Sequence, residues 1–278
     1  MSFYPQPDKY RCGPFALKYA LVMLGIFKHE NDIAHTAGST WWAGTDEIGL
    51  SKAARRYKCR MKYFHSEDKK IAAKLLNAEL KKGFPCILSV NNWEHWRTVV
   101  NFNKGKYIVI DSELDKVISI ESPFKLLGNW KYFDPSTNIK SYDGYAVIPK
   151  FKPYTKAKFD LESAHKIMLD SNADLALKWD RYFDDLISIC KPRNKKMTDL
   201  ITFREFVRRN GNYIIKSVAD WHGDPTYSEL KKILQNMRIV AEIYDLVIGK
   251  KDEKKAIIDI TALIALYSCG KYGMVPIY

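Results

Sequence analysis

Apolar residues recur at helical spacing early in the chain and give way, near residue 84, to runs with the character of strands. Over residues 14–24 (PFALKYALVML), Phe15, Leu17, Ala20, Leu21 and Leu24 share one face. Pro14 suits the first turn and Gly25 the stop, so a helix is predicted there. TDEIGLSKAARRY (45–57) predicts a second, opened by Thr45 and by acidic residues that suit the positive end of the helix dipole. DKKIAAKLLNAELKK (68–82), closed by Gly83, predicts a third. PCILSV (85–90), HWRTVVNF (95–102), KYIVIDS (106–112), KVISIE (116–121) and YAVIPK (145–150) are β-branched and aromatic. Turn-forming clusters such as NKGK (103–106) separate them, which predicts a meander of antiparallel strands. Helices followed by strands predict an α+β domain with the helices grouped on one side of the sheet.

FKPYTKAK (151–158), with a proline and three lysines, reads as a linker. Beyond it only helical periodicity recurs, over residues 160–190, 198–219, 226–249 and 252–268. The third of these segments starts with a capping box, Thr226 with Glu229. The expected organisation is an α+β domain over 1–150, a linker over 151–158 and an all-α domain of unassigned role over 159–278.

Composition narrows the class. Apolar residues make up 46% of the 278, which is ordinary for a globular protein. The net charge of +13 is spread along the chain without a basic block or a nucleic-acid-binding motif, so nucleic acid is not an expected partner. MSFYPQPDKYR lacks the apolar core of a secretory signal, and AIIDITALIALYS (256–268) is too short to span a bilayer and contains Asp259. Five cysteines without paired spacing argue against a disulfide framework. A cytoplasmic location is expected, and secretion by a signal-independent route stays compatible. No metal-ligand spacing is present, and no metal or cofactor is expected.

Cys12 is the residue of chemical interest. A thiol in the first turn of a helix faces unpaired backbone N–H groups and the positive end of the dipole, and both favour the thiolate. Position alone favours a buried filler over a nucleophile. A nucleophile also needs a base and a group to orient that base. His95 opens a predicted strand on which His95, Arg97, Val99 and Asn101 share one face and Trp96, Thr98, Val100 and Phe102 the other. The hairpin that follows returns Asp111 toward the start of that strand. Gln6 can offer a side-chain amide to an oxyanion, and Pro7 holds Gln6 in extended backbone.

These residues, in order, resemble the double-glycine leader peptidase domain of bacteriocin-processing exporters, a branch of the papain-like cysteine peptidases. The family's Gln, five residues, then Cys-Gly and an apolar helix is matched by Q-PDKYR-CGPFALKYALVMLG. GTDEIGLSKAARRYKCRMKYF (44–64), the strand GFPCILSV, His95, an Asp 16 residues beyond it, and YDGYAVIPK (142–150) follow in the family's order. The resemblance spans residues 3–150. It implies a papain-like fold in which Cys12, His95 and Asp111 are catalytic, Gln6 stabilises the oxyanion, and an acyl-thioester forms on Cys12. It implies a peptide or protein substrate. Trp41, Trp42, Trp93 and Trp96 are candidates to line the substrate groove, against the plainer reading of core or rim.

Two departures limit what carries over. Asp111 is followed by Ser112 where the family usually has Pro. The chain also has neither an ATP-binding G-x-x-x-x-G-K-[ST] nor a spanning segment, so processing coupled to export within this polypeptide is not expected. Peptide maturation, a bacterial effector or toxin, an acyltransferase or deamidase using the same residues, and a non-catalytic peptide-binding module remain alternatives. The helical half is a candidate surface for a protein partner. Cys59, Cys86, Cys190, Cys269, His165 and the WHGD stretch (221–224) read as structural. His35 and His65 are weaker candidates for the base, and Asp8 and Asp46 read as caps or surface groups.

Overall fold

The computed structural model describes residues 2–169, 173–194, 197–219 and 225–271. WHGD therefore lies outside the described residues. The chain divides into two compact units, 1–177 and 178–278.

The first unit opens with α1 (Cys12–Met23), α2 (Glu30–Ala37) and α3 (Glu47–Arg56), then β1 (Cys59–Ser66) and α4 (Lys69–Lys81). β2 (Cys86–Val90), β3 (His95–Asn103), β4 (Lys106–Ile110) and β5 (Ile118–Glu121) follow, then α5 (Pro123–Trp130), β6 (Tyr132–Asp134) and β7 (Ile139–Pro149). Two helices, α6 (Leu161–Met168) and α7 (Ala173–Leu177), complete the unit. The fold class is α+β with an antiparallel sheet. β2 to β5 form the expected meander, but the sheet order is β1-β7-β2-β3-β4-β5, with β7 returning to lie between β1 and β2 and with β6 paired to it.

Helices cover both faces of the sheet, not one. Ala16, Leu17, Leu21, Ile33, Leu50 and Ala53 of α1–α3 pack on Ile87 and Val147. On the other face Ala72, Leu76, Leu80, Leu126 and Trp130 of α4 and α5 pack on Cys86, Leu88, Val99 and Val109. The reason is in β2, where all five residues of CILSV are buried, and a strand buried on both faces carries a continuous apolar run. A bulge between Val99 and Asn101 also resets the alternation of β3, so that Phe102 joins the cluster of Val99. Gly144 in β7 is required by close packing: a Cβ there would lie 2.6 Å from the Phe64 ring and 2.8 Å from Leu88.

The expected domain start at 159 falls inside the first unit, because the connecting stretch is tied to that unit. Ala157 N–H donates to Met23 O, the Asn101 side-chain amide donates to Phe159 O, and Phe3 N–H donates to Ala176 O.

The second unit contains α8 (Trp179–Ile189), β8 (Lys191–Pro192), β9 (Leu200–Thr202), α9 (Phe203–Ala219), α10 (Tyr227–Ile243), β10 (Leu246–Gly249) and α11 (Glu253–Lys271). Buried Trp179, Phe183, Phe206, Leu234, Val240 and Ile260 are among its core residues. The Thr226–Glu229 capping box is present in both directions. The unit is not purely helical: β8, β10 and β9 form a small antiparallel sheet. The expected helix over 226–249 stops at Ile243 because Asp245 takes a left-handed φ of 52° and Leu246–Ile248 continue as strand. Among the described residues no helix is long and apolar enough to cross a membrane.

Candidate active site

Cys12 is the first residue of α1, directly after a short 3-10 turn, Lys9–Arg11, that Asp8 caps by accepting from Tyr10 N–H at 3.0 Å. The thiol is 6% exposed. Gly13 follows because Thr45 approaches closely: a Cβ at residue 13 would lie 2.9 Å from Thr45 Cβ. α1 is fixed on the sheet by Thr98, whose hydroxyl donates to Ala16 O at 2.7 Å.

His95 begins β3 after a turn in which Asn91, Asn92 and Trp93 all take positive φ, of 54°, 55° and 69°. Asn tolerates that region; Trp does so at a cost of about 1 kcal/mol or more. Asn91 N–H donates to Asn129 O, and the Trp93 ring stacks on Tyr132 at 3.8 Å while its Nε1 donates to Asp143 at 3.0 Å. The surroundings thus hold the turn that aims His95.

The imidazole is buried, and its Nε2 lies 2.8 Å from Asp111 Oδ1. Burial pulls the His95 pKa down, but the Asp111 hydrogen bond and then the Cys12 thiol outweigh it and raise the value to about 9. Asp111 is buried too; burial pushes its pKa up, while the His95 bond and the Arg97 charge bring the net direction below the usual carboxylate range. Its Oδ2 lies 2.8 Å from Arg97 Nε, and Arg97 Nη2 donates at 2.6 Å to Glu121, which Lys125 also approaches at 3.2 Å. A row of alternating charges therefore runs from His95 through Asp111 and Arg97 to Glu121, all four buried.

Gln6 joins from the other side of Asp111. Its backbone N–H donates to Ser112 O at 2.8 Å, its Oε1 accepts from Ser112 Oγ at 2.5 Å, and its Nε2 donates to Asp8 O at 2.8 Å. With Oε1 on Ser112 the amide orientation is set, and one of the two Nε2 hydrogens remains to be directed elsewhere. Ser112, where the resembling family has Pro, thus supplies a hydroxyl that proline lacks.

The sequence reading did not include Arg97, Ser112 or Glu121 among the site residues. The signal for Arg97 was present: an arginine two residues after His95 lies on the same face of the strand, and if that face is buried it needs a partner. Glu121, 24 positions away and facing it across β4, could not be paired with it from spacing.

The four tryptophans do not form one group. Trp41 and Trp42 meet edge-to-face and are 76% and 63% exposed. Trp93 is held by Tyr132 and Asp143. Trp96 is half-buried against the α1–α3 cluster and donates to Thr45 O at 2.9 Å. His35 and His65 are exposed, on α2 and β1. Asp8 and Asp46 are helix caps. All five cysteines are free thiols; burial pushes Cys59 up to about 11, Cys190 to about 12 and Cys86 higher still, while Cys269 is half-buried.

No protein-family model matches the chain, and no curated protein matches it. Among solved structures, the peptidase domain of Streptococcus ComA, a bifunctional ABC transporter involved in quorum sensing, is 15% identical with a TM-score of 0.40. That match covers 53% of this chain and 98% of the other. A double-glycine motif protease from an AMS/PCAT transporter, in complex with the leader peptide, is 20% identical with a TM-score of 0.39, over 51% of this chain and 89% of the other.

Proposed function

We propose that the first unit is a papain-like cysteine hydrolase that cleaves a peptide or amide bond with Cys12 as nucleophile. The observation that carries this is the buried His95–Asp111 pair, in which the ring is held protonated at neutral pH beside a thiol at a helix start. A protonated imidazole stabilises the thiolate it faces. In the proposed reaction Cys12 Sγ attacks the carbonyl carbon, and the oxyanion is met by the remaining Gln6 Nε2 hydrogen and by backbone N–H groups at the start of α1. His95 gives the proton on Nδ1 to the leaving amine as the C–N bond breaks. Water then attacks the acyl-thioester, passes a proton to His95, and releases the acid and the Cys12 thiolate. Asp111 keeps the ring oriented through Nε2 throughout. Trp41 and Trp42, the most exposed of the tryptophan set, are proposed to contact a bound peptide. The second unit is proposed to recruit the substrate or a protein partner.

The test is site-resolved alkylation with iodoacetamide at pH 7, read by mass spectrometry. Cys12 is expected to react at least tenfold faster than Cys269, the most exposed of the five thiols, while Cys59, Cys86 and Cys190 stay protected. His95→Gln removes the advantage of Cys12. A Cys12 rate equal to or below that of Cys269 in the native protein overturns the reading.

A further inference from the structure

Ser112 is 1% exposed and stands directly after Asp111, where no step of the proposed hydrolysis uses it. It is bonded to Gln6 twice, across 106 positions of the chain. Ser112 O accepts from Gln6 N–H at 2.8 Å, and Ser112 Oγ donates to Gln6 Oε1 at 2.5 Å. The direction of the second bond follows from the other end of the amide. Gln6 Nε2 lies 2.8 Å from Asp8 O. A carbonyl can only accept, so the amide nitrogen faces Asp8 and the amide oxygen faces Ser112. Against that oxygen the Ser112 hydroxyl is necessarily the donor.

The two tethers belong to different parts of the centre. Asp8 caps the turn that leads into Cys12, accepting from Tyr10 N–H at 3.0 Å, whereas Ser112 follows Asp111 just beyond β4. An amide held at both ends has a fixed plane, and its second Nε2 hydrogen has a fixed direction. That matters for an oxyanion donor, because a group already in place needs no reorganisation when the charge forms. Gln6 is half-buried, and a long unbranched side chain held at one end alone samples many directions. The Ser112 bond also draws electron density toward Oε1, which makes the amide N–H a stronger donor.

We propose that Ser112 is a positioning residue that acts through Gln6, holding and polarising the amide that meets the oxyanion. This role rests on the hydrolase reading above and extends it to a residue whose effect reaches the substrate only through Gln6. Its signature is selective. Reactions of Cys12 that pass through a tetrahedral oxyanion depend on the Ser112 hydroxyl, and reactions of the same thiolate that form no oxyanion are indifferent to it.

The experiment compares two reactions of Cys12 in the full chain at pH 7. With p-nitrophenyl acetate the thiolate is acylated: the Sγ–C bond forms through a tetrahedral oxyanion, the ester C–O bond breaks, and the burst of nitrophenolate gives the rate. With iodoacetamide the same thiolate displaces iodide at a saturated carbon, without an oxyanion, and the rate reports the supply of thiolate. Ser112→Ala is expected to slow acylation at least tenfold and alkylation less than twofold. Gln6→Ala, at a half-buried position, is expected to show the same split, and adding Ser112→Ala to it should leave acylation where Gln6→Ala put it. Acylation at the native rate in either single variant overturns the positioning role. So does equal slowing of both reactions in Ser112→Ala, or a further tenfold loss of acylation in the double variant. A native protein that is acylated no faster than Cys12→Ala overturns the hydrolase reading itself, and the role of Ser112 falls with it.

Discussion

Asp111→Asn keeps the shape of the side chain and removes its charge, which isolates the contribution of the carboxylate to the state of His95. In the native protein burial lowers the His95 pKa, and Asp111 followed by Cys12 raises it overall, from 6.5 to about 9. A histidine whose pKa is raised on folding holds its proton more tightly in the folded protein than in the unfolded one. The resulting stabilisation is fully present below pH 6.5 and is lost as the pH rises through about 9. At about 1.4 kcal/mol per pH unit, the interval corresponds to about 3 kcal/mol. In the variant the largest raising cause is gone while burial and Cys12 remain, so the His95 pKa falls and this pH dependence weakens. The assay is urea unfolding of both proteins at several pH values from 6 to 10, with the His95 ring protons followed by NMR. His95 is expected to contribute a loss of about 3 kcal/mol across the interval in the native protein, offset to the extent that Cys12 is a thiolate in the folded state, and a smaller loss in the variant. A native His95 that titrates at or below 6.5, or equal pH slopes in the two proteins, refutes the reasoning.

Arg97→Met leaves Asp111 and Glu121 buried without the cation between them, and Lys125 alone does not replace it. A loss of about 3–5 kcal/mol in urea unfolding is expected, and adding Glu121→Gln should recover part of it. If Arg97→Met unfolds at the native urea concentration, the charge row contributes nothing to stability. Gly144→Ala forces a methyl against Phe64 and Leu88 in the sheet centre. Calorimetry should show a lower melting temperature equivalent to about 1–3 kcal/mol, and an unchanged one would mean that both neighbours move freely.

The elements visible in the sequence were those whose burial follows a simple period. α1, α3 and α4 fall within two residues of their predicted ends, and β2–β5 likewise. β1 was missed because only Cys59 and Phe64 of its eight residues are buried, while Arg60, Lys62, Tyr63 and His65 face solvent on a sheet edge. Such an edge resists pairing with other chains but carries little apolar signal. α2 and α5, at eight residues each, are too short for a helical period to stand out. Cys12, His95 and Asp111 were legible because each sits at the end of a periodic element. The partner of Arg97 was not, since pairing across β4 depends on register, which a bulge had shifted.

The attachment of α1 to β3 has a consequence for kinetics. Cys12 and Gln6 belong to one continuous segment, whereas His95 and Asp111 belong to the sheet, and the Thr98–Ala16 hydrogen bond helps hold one on the other. A centre divided in this way exists only while the two pieces are docked. Rapid reaction at Cys12 then depends on docking as well as on folding. The urea concentration at which that rapid alkylation is lost is expected to lie at or below the one that unfolds the unit, and the interval between the two is in effect a gauge of how firmly the two halves of the centre are closed.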